Sequence, residues 1–336
     1  LPFEEFMRTA LYDADAGFFG AGPLRSVKAG DFLTSPEVSP WFGQILGRFV
    51  AAERERIGDP DGFAVVDVGA GSGSLLKSLV DEIEGIEAWA VEASPAARAA
   101  LAGTVRPERI ADSLAGLPAS LRGVIVANEL LDNLPCALAV KMAHGWEERC
   151  VGEQGGDLTL VPAPARSAVA AWADSHGGTV PEGGMVEVQL EAAVWLHAAL
   201  DRLEAGALLV IDYGGTAEEL EPRRTRGTLR TYRAHHLGPD PLLEPGATDI
   251  TVDVNFTALL AAAEQAGTTA ELLRQDDFLV GLGLHEELKA LRRRELDLAR
   301  EGDPMERLRL RSERTDAETL LHPRGLGDFR VLVVRR

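Results

Sequence analysis

Asp67-Val68-Gly69-Ala70-Gly71-Ser72-Gly73 closes a short apolar run and leads into a helical pattern. Alternate glycines let the backbone turn tightly and approach a ligand that a Cβ would repel, and the helix start beyond them offers free N–H groups. The dinucleotide pattern G-x-G-x-x-G/A needs Gly or Ala at position 74, where Ser74 stands. A plain strand-to-helix turn is the alternative reading. Glu92, in Val91-Glu92-Ala93-Ser94-Pro95, comes 19 residues after Gly73. A carboxylate there can accept both hydroxyls of a ribose or cap the next helix. Asp112-Ser113 stands where a third strand should end and can face an adenine or make an ordinary turn. In Asn128-Glu129-Leu130-Leu131-Asp132-Asn133, two acids three residues apart, on a turn opening into a helix, can share one face. They can hold a cation, orient an amine or guanidine, or cap the helix. Asp212-Tyr213 adds an acid and a phenol to the same rim. Beyond it the stretch Arg230 to His236 brings Tyr232 and His235. A histidine of near-neutral pKa is a usable base, although one in a surface loop is equally at home in water. Cys136 and Cys150 have no metal-ligand spacing around them, and no metal is expected.

These residues need a frame that brings strand ends together. Phe63–Val68, Ala88–Val91, Val124–Ala127 and Ala207–Ile211 read as short buried strands, each ended by a polar residue or glycine. Helical spacing fills Ser74–Ile83, Pro95–Leu101 and Leu190–Leu203 between them. Strands alternating with helices predict an α/β fold with helices on both faces of a doubly wound sheet. In such a sheet a ligand crevice lies at the carboxyl ends of the strands, where all the acids above fall. Four segments are expected. They are a helical cap with a lid loop over 1–60, a core over 61–215 with a Gly- and Pro-rich insertion near 145–185, an arm over 216–255, and a completion of the core over 256–336. Ala163–Ser175 is expected to be a helix inside the insertion. Phe329–Val334 supplies a final strand.

The chain has 336 residues and a net charge of −19, with 46% hydrophobic and 26% charged residues. That is the composition of an ordinary folded protein, and its acidity argues against a nucleic-acid binder, which needs Lys and Arg to neutralise phosphates. No apolar run reaches the ~18 residues of a membrane span. The first twenty residues carry acids rather than a basic and then apolar signal, so a cytoplasmic protein without a membrane partner is expected.

An acid two residues before G-x-G-x-G is similar to the first motif of S-adenosylmethionine (SAM) methyltransferases. SAM carries an ammonium, a carboxylate and a sulfonium but no phosphate, so its site wants acids as well as N–H donors. The order of motifs over nearly the whole chain resembles the MidA-like family of SAM-dependent methyltransferases. The resemblance rests on Ala10-Leu11-Tyr12, Gly17-Phe18-Phe19, Gly30-Asp31-Phe32-Leu33-Thr34-Ser35-Pro36-Glu37, Asp67 to Gly73, Glu92 to Pro95, Asn128 to Pro135, Asp212-Tyr213-Gly214, Tyr232 with His235, and Gly246 with Asp249-Ile250-Thr251. Gln275, Phe278-Leu279, Leu282-Gly283 and Gly325-Leu326-Gly327 also fit. Asn255 stands where an Asp is expected and Leu326 where a Met is usual, which bears on substrate more than on cofactor. The segment Glu147–Arg166 does not align.

The resemblance implies a Rossmann-like class I methyltransferase sheet with an N-terminal helical cap and inserted substrate-binding arms. It implies a SAM site built from Asp67, Gly69, Gly71, Gly73 and Glu92, with Asp112 and Ser113 at the adenine. The Gly30–Glu37 loop would fold over it with Asp31, Thr34, Ser35 and Glu37. Family members are associated with ω-N methylation of a protein arginine, in the mitochondrial case on a respiratory complex I subunit. Glu129 and Asp132, beside Asn128, would then clamp the guanidinium, with Asp31 and Glu37 possible contributors from the lid. His235 or Tyr232 would accept the proton or order the substrate. The partner would be a protein acceptor. A small molecule or peptide acceptor is the second reading, and a SAM-binding assembly chaperone the third.

Overall fold

The computed structural model describes residues 1–22, 34–233, 236–301 and 304–336. Asp31 and His235 therefore lie outside the described residues. Its centre is a seven-stranded sheet in the spatial order 269–274, 330–335, 203–212, 121–128, 64–68, 87–91, 110–111. Strand Ala64–Val68 pairs in parallel with Glu87–Val91 on one side and Leu121–Asn128 on the other. Leu203–Asp212 continues the parallel run, and Arg330–Arg335 is antiparallel to it. The final strand thus fits between Leu203–Asp212 and Thr269–Arg274, a sheet edge that Phe329–Val334 alone did not reveal.

Every residue of Ala64–Val68 is buried, as expected for a parallel strand covered on both faces. One face packs Phe42, Ile45, Leu76 and Leu79, from helices Pro40–Arg56 and Ser74–Glu82, onto Val65 and Val124. The other packs Leu196, Leu200, Phe256 and Leu259, from Leu190–Leu200 and Phe256–Gln265, onto Val66, Ile125 and Leu208. Alternation along the strands sends successive residues to opposite layers.

Strand register decides where the polar ends fall. Val68 pairs with Val91 and with Ala127, and Asn128 pairs with Ile211. Gly69, Glu92, Glu129 and Asp212 consequently emerge along one edge. The strand order departs in opposite directions from Ala64–Val68, so this edge also holds the crevice of a doubly wound sheet.

Two expectations change. The Gly- and Pro-rich insertion, expected to hold a helix over Ala163–Ser175, contributes most of a four-stranded antiparallel sheet of Ala137–Met142, Gly145–Gln154, Asp157–Pro164 and Met185–Val188. Strand pairing carries the chain to Pro164, so the helix starts only at Ser167. The turn after Asn128 does not open into a helix either. A single 3-10 turn, Leu131–Asn133, passes directly into strand Ala137–Met142. Helix Phe3–Tyr12 packs Phe3, Met7 and Leu11 against Leu138, Val151 and Ile250, joining the chain start to both insertions. No helix among the described residues is long and apolar enough to cross a membrane.

Candidate functional site

Two cavities meet at the carboxyl edge of the sheet. The first, of about 460 Å³, is walled by Asp67, Gly69, Gly71, Glu92, Asp112, Ser113, Asn128 and Glu129, with Trp195 and Leu114 as apolar surfaces. The second, of about 580 Å³, is walled by Glu129, Asp132, Tyr213, Tyr232, Asp249 and Asp253, with Arg223, Arg230 and Arg324. Thr34, Glu129 and Asn133 line both and form the boundary between them.

Backbone conformation builds the first cavity. Gly69, Gly71 and Gly73 all take positive φ. Gly73 does not face the cavity. It starts helix Ser74–Glu82, and a Cβ on it would stand 2.7 Å from Leu101 Cδ2. Glu92 braces the loop, with Oε2 accepting the Gly71 N–H at 2.9 Å and Oε1 the Ser94 N–H at 2.7 Å. Each carboxylate oxygen retains a lone pair for a ligand hydroxyl. The Ser113 hydroxyl donates to Asp112 Oδ1 at 2.9 Å. Glu37 reaches across from helix Ser35–Val38 and accepts the hydroxyls of Ser72 and Ser74, both at 2.9 Å, as well as that of Thr34. This strap ties the lid segment to the glycine loop.

The electrostatics are one-sided. Glu37, Asp67, Glu92, Asp112 and Glu129 line the first cavity, and among the described residues no Lys, Arg or His does. Burial, with Glu92 and Glu37 nearby, pushes the Asp67 carboxyl up to about 7. Asn128 Oδ1 is buried and has no partner among the described residues. Such a wall fits a ligand with a cationic group and several donors, beside an apolar slot for a flat ring. SAM has that character, with an ammonium, two ribose hydroxyls and a flat adenine.

Glu129 stands in the left-handed region at φ +51, uncommon for a residue with a side chain. The surroundings hold it there. Its N–H donates to Ile211 O at 2.8 Å, and Asp212, fully buried, accepts the N–H groups of Leu131, Asp132 and Tyr213 at 2.9, 3.2 and 2.9 Å. The result aims the Glu129 carboxylate at the boundary of the cavities. Oε1 accepts the Ser35 N–H at 3.0 Å and the Asn128 amide at 3.2 Å. Burial, opposed by these bonds, still pushes its carboxyl up to about 8.

Asp132 is buried, and Tyr213 donates its hydroxyl to Oδ2 while Oδ1 has no partner among the described residues. Burial pushes its carboxyl up to about 6 despite the Tyr213 bond and the charge of Arg230. The Asn133 amide donates to Asp249 Oδ1 at 2.8 Å and Ile250 O at 3.0 Å, anchoring the turn to strand Asp249–Thr251. Tyr232 lies on Arg230–Arg233, which pairs antiparallel with that strand.

Of the residues expected from sequence, Asp67, Gly69, Gly71, Glu92, Asp112, Ser113, Thr34, Glu37, Asn128 and Glu129 line the first cavity. Asp132 and Tyr232 line the second. Ser35 is buried and contributes only its N–H. Asn255 lies in neither wall. It caps helix Phe256–Gln265 through the Ala258 N–H at 3.2 Å and donates to His176 O at 2.7 Å, so its difference from the expected Asp concerns a helix start. Leu326 does line the second cavity. Sequence reasoning assigned no role to Asp212, Arg223, Arg230, Asp253 or Trp195. Asp212-Tyr213 at a strand end was a usable signal, whereas nothing in the charge pattern separates Arg223 from its neighbours.

The sheet order, the glycine loop and the acidic cavity define a class I SAM-dependent methyltransferase. Residues 45–273 match the family described as "Putative S-adenosyl-L-methionine-dependent methyltransferase", and the chain belongs to that family. It is 28% identical to the mitochondrial protein arginine methyltransferase NDUFAF7 of Rattus norvegicus, over 96% of this chain and 78% of that one. Against the Homo sapiens protein of the same name the identity is 26%, over 96% and 77%. A Burkholderia thailandensis protein solved with bound S-adenosylhomocysteine superposes with a TM-score of 0.86 at 30% identity, covering 100% of this chain and 88% of that one. The expected fold, family and cofactor agree with these findings.

Proposed function

We propose that this methyltransferase modifies a guanidino nitrogen of an arginine in a protein. The observation that carries the reading is Glu129, a half-buried carboxyl at the boundary of the cofactor cavity and a second chamber, with Asp132 Oδ1, unpartnered among the described residues, lining that chamber. The relatives named as protein arginine methyltransferases support it.

Bound SAM supplies a methyl carbon activated by its sulfonium. The chain's part is to orient the acceptor, hold charge and take a proton. A guanidinium is planar, delocalised and always charged, so its nitrogen attacks only when the positive charge is drawn elsewhere in the group. Glu129 and Asp132 are suited to that, as fixed acceptors in a water-poor site. Arrival of a guanidinium would ionise Glu129. With SAM and acceptor in place, transfer would free one proton from the methylated nitrogen, and the Glu129 carboxylate, ionised by the guanidinium, would take it. Tyr232 would order the acceptor from the arm.

The test is transfer of labelled methyl from SAM to arginine-containing peptides, followed by hydrolysis and identification of the labelled amino acid. ω-N-methylarginine formed by wild type and lost in Glu129→Gln supports the reading. Label on another side chain, or on a small molecule only, overturns it.

A further inference from the structure

The second chamber carries cations as well as acids. Asp253 is buried, and both Arg223 and Arg230 pair with it, so two guanidiniums share one carboxylate. Arg230 also lies over the Tyr213 ring, 5.3 Å from its centroid, and its Nε is buried with no partner. Arg324 is exposed on the opposite segment of the lining and makes no side-chain bond among the described residues. A continuous line of contacts therefore runs from Asp132 through Tyr213 to Arg230, Asp253 and Arg223. Negative charge sits at the boundary with the cofactor cavity, while beyond Tyr213 the three arginines face Asp253 and Asp328, and Asp328 is already paired with Arg274 and Arg330. At about 580 Å³ the chamber falls in the range of sites that take a whole ligand rather than one group.

We infer that the acceptor carries a carboxylate beside its methyl-accepting guanidinium, held by Arg223, Arg230 and Arg324. This rests on the arginine reading above and deepens it. The substrate class is a peptide segment in which an Asp or Glu adjoins the target arginine. An acceptor lacking that carboxylate would leave Arg324 without a counter-charge and would be discriminated against, while the acids at the boundary reject a carboxylate offered the wrong way round. Arginine guanidiniums suit this task because their fork of donors matches a carboxylate.

The experiment uses the full chain and two capped peptides that differ only in Glu or Gln next to one arginine. Methyl transfer is measured as kcat/KM, and binding of each peptide to the S-adenosylhomocysteine complex is measured separately by calorimetry. Wild type should prefer the Glu peptide by about fivefold in both measurements, since partly exposed ion pairs give modest gains. Arg324→Gln and Arg223→Gln, each checked for folding by its binding of S-adenosylhomocysteine, should reduce that ratio toward one. High salt should reduce it as well. Equal binding of the two peptides by wild type, or an undiminished ratio in both variants, overturns the inference. If neither peptide is methylated but the Glu peptide still binds more tightly, arginine methylation fails while the carboxylate site stands.

Discussion

The main-chain N–H of Ser35 donates to the Glu129 carboxylate across 3.0 Å, joining the lid segment to the turn after the fourth core strand. Ninety-four residues separate the two partners in the chain. Two residues further along the same lid helix, Glu37 binds Ser72 and Ser74 of the glycine loop. Attachment to the glycine loop and orientation of Glu129 are thereby made by one short helix.

If Glu129 polarises the acceptor, Glu129→Gln should lower kcat by about 10²–10³-fold, the usual loss for one fixed group acting on developing charge. Affinity for S-adenosylhomocysteine, read by calorimetry, should change far less. Turnover near that of wild type would remove Glu129 from the mechanism.

The Asp67 carboxyl is pushed up to about 7 because burial and two neighbouring acids oppose its charge. An ammonium placed beside it would stabilise the ionised form. Binding of S-adenosylhomocysteine at pH 6 should therefore release protons, seen as a dependence of the calorimetric heat on the ionisation enthalpy of the buffer. Asp67→Asn should lose most of that release. No buffer dependence in wild type would argue that the ligand amine lies elsewhere.

The same carboxyls set a pH dependence of stability. Glu129, Asp132 and Asp67 have folded pKa values raised to about 8, 6 and 7, so between their ordinary range and those values the native state binds more protons than the unfolded state. Stability then falls as pH rises through this window. The Tm of the empty protein should be lower at pH 8.5 than at pH 6, and saturating cofactor should narrow the difference. Glu129→Gln should flatten the part nearest pH 8.

Asp212 accepts three main-chain N–H groups that hold the turn carrying Glu129 and Asp132. Asp212→Ala leaves buried donors unpaired, each costing about 1–3 kcal/mol. Chemical denaturation should show a midpoint well below that of wild type, with kcat falling alongside. An unchanged midpoint would mean that another acceptor replaces the carboxylate.

Gly73 combines φ +78 with a hypothetical Cβ 2.7 Å from Leu101 Cδ2. Gly73→Ala should cost at least the ~1–2 kcal/mol of placing a side chain in the left-handed region. The cofactor should also bind more weakly, because the start of the helix behind the loop must shift. Thermal unfolding and calorimetry check the two effects independently.

What the sequence by itself determined is local. Asp67 to Gly73 announces a turn because only glycine takes its backbone angles readily. Glu92 and Glu129 announce a rim because polar residues ending buried apolar runs fall at strand ends, and parallel pairing aligns those ends. The cofactor cavity was legible for these reasons. The second chamber depended on tertiary structure. Arg223 and Arg230 meet Asp253 only because the arm folds back as a small sheet whose Arg230 pairs with Thr251. Asp132 meets Tyr213, 81 residues away in the chain, because each follows the end of one of two neighbouring parallel strands. The helix expected after Asn128 gave way to a strand because the four-stranded sheet takes up Ala137–Met142. Charge pairing and burial act through space, so pKa values and partners appear only when the register is known.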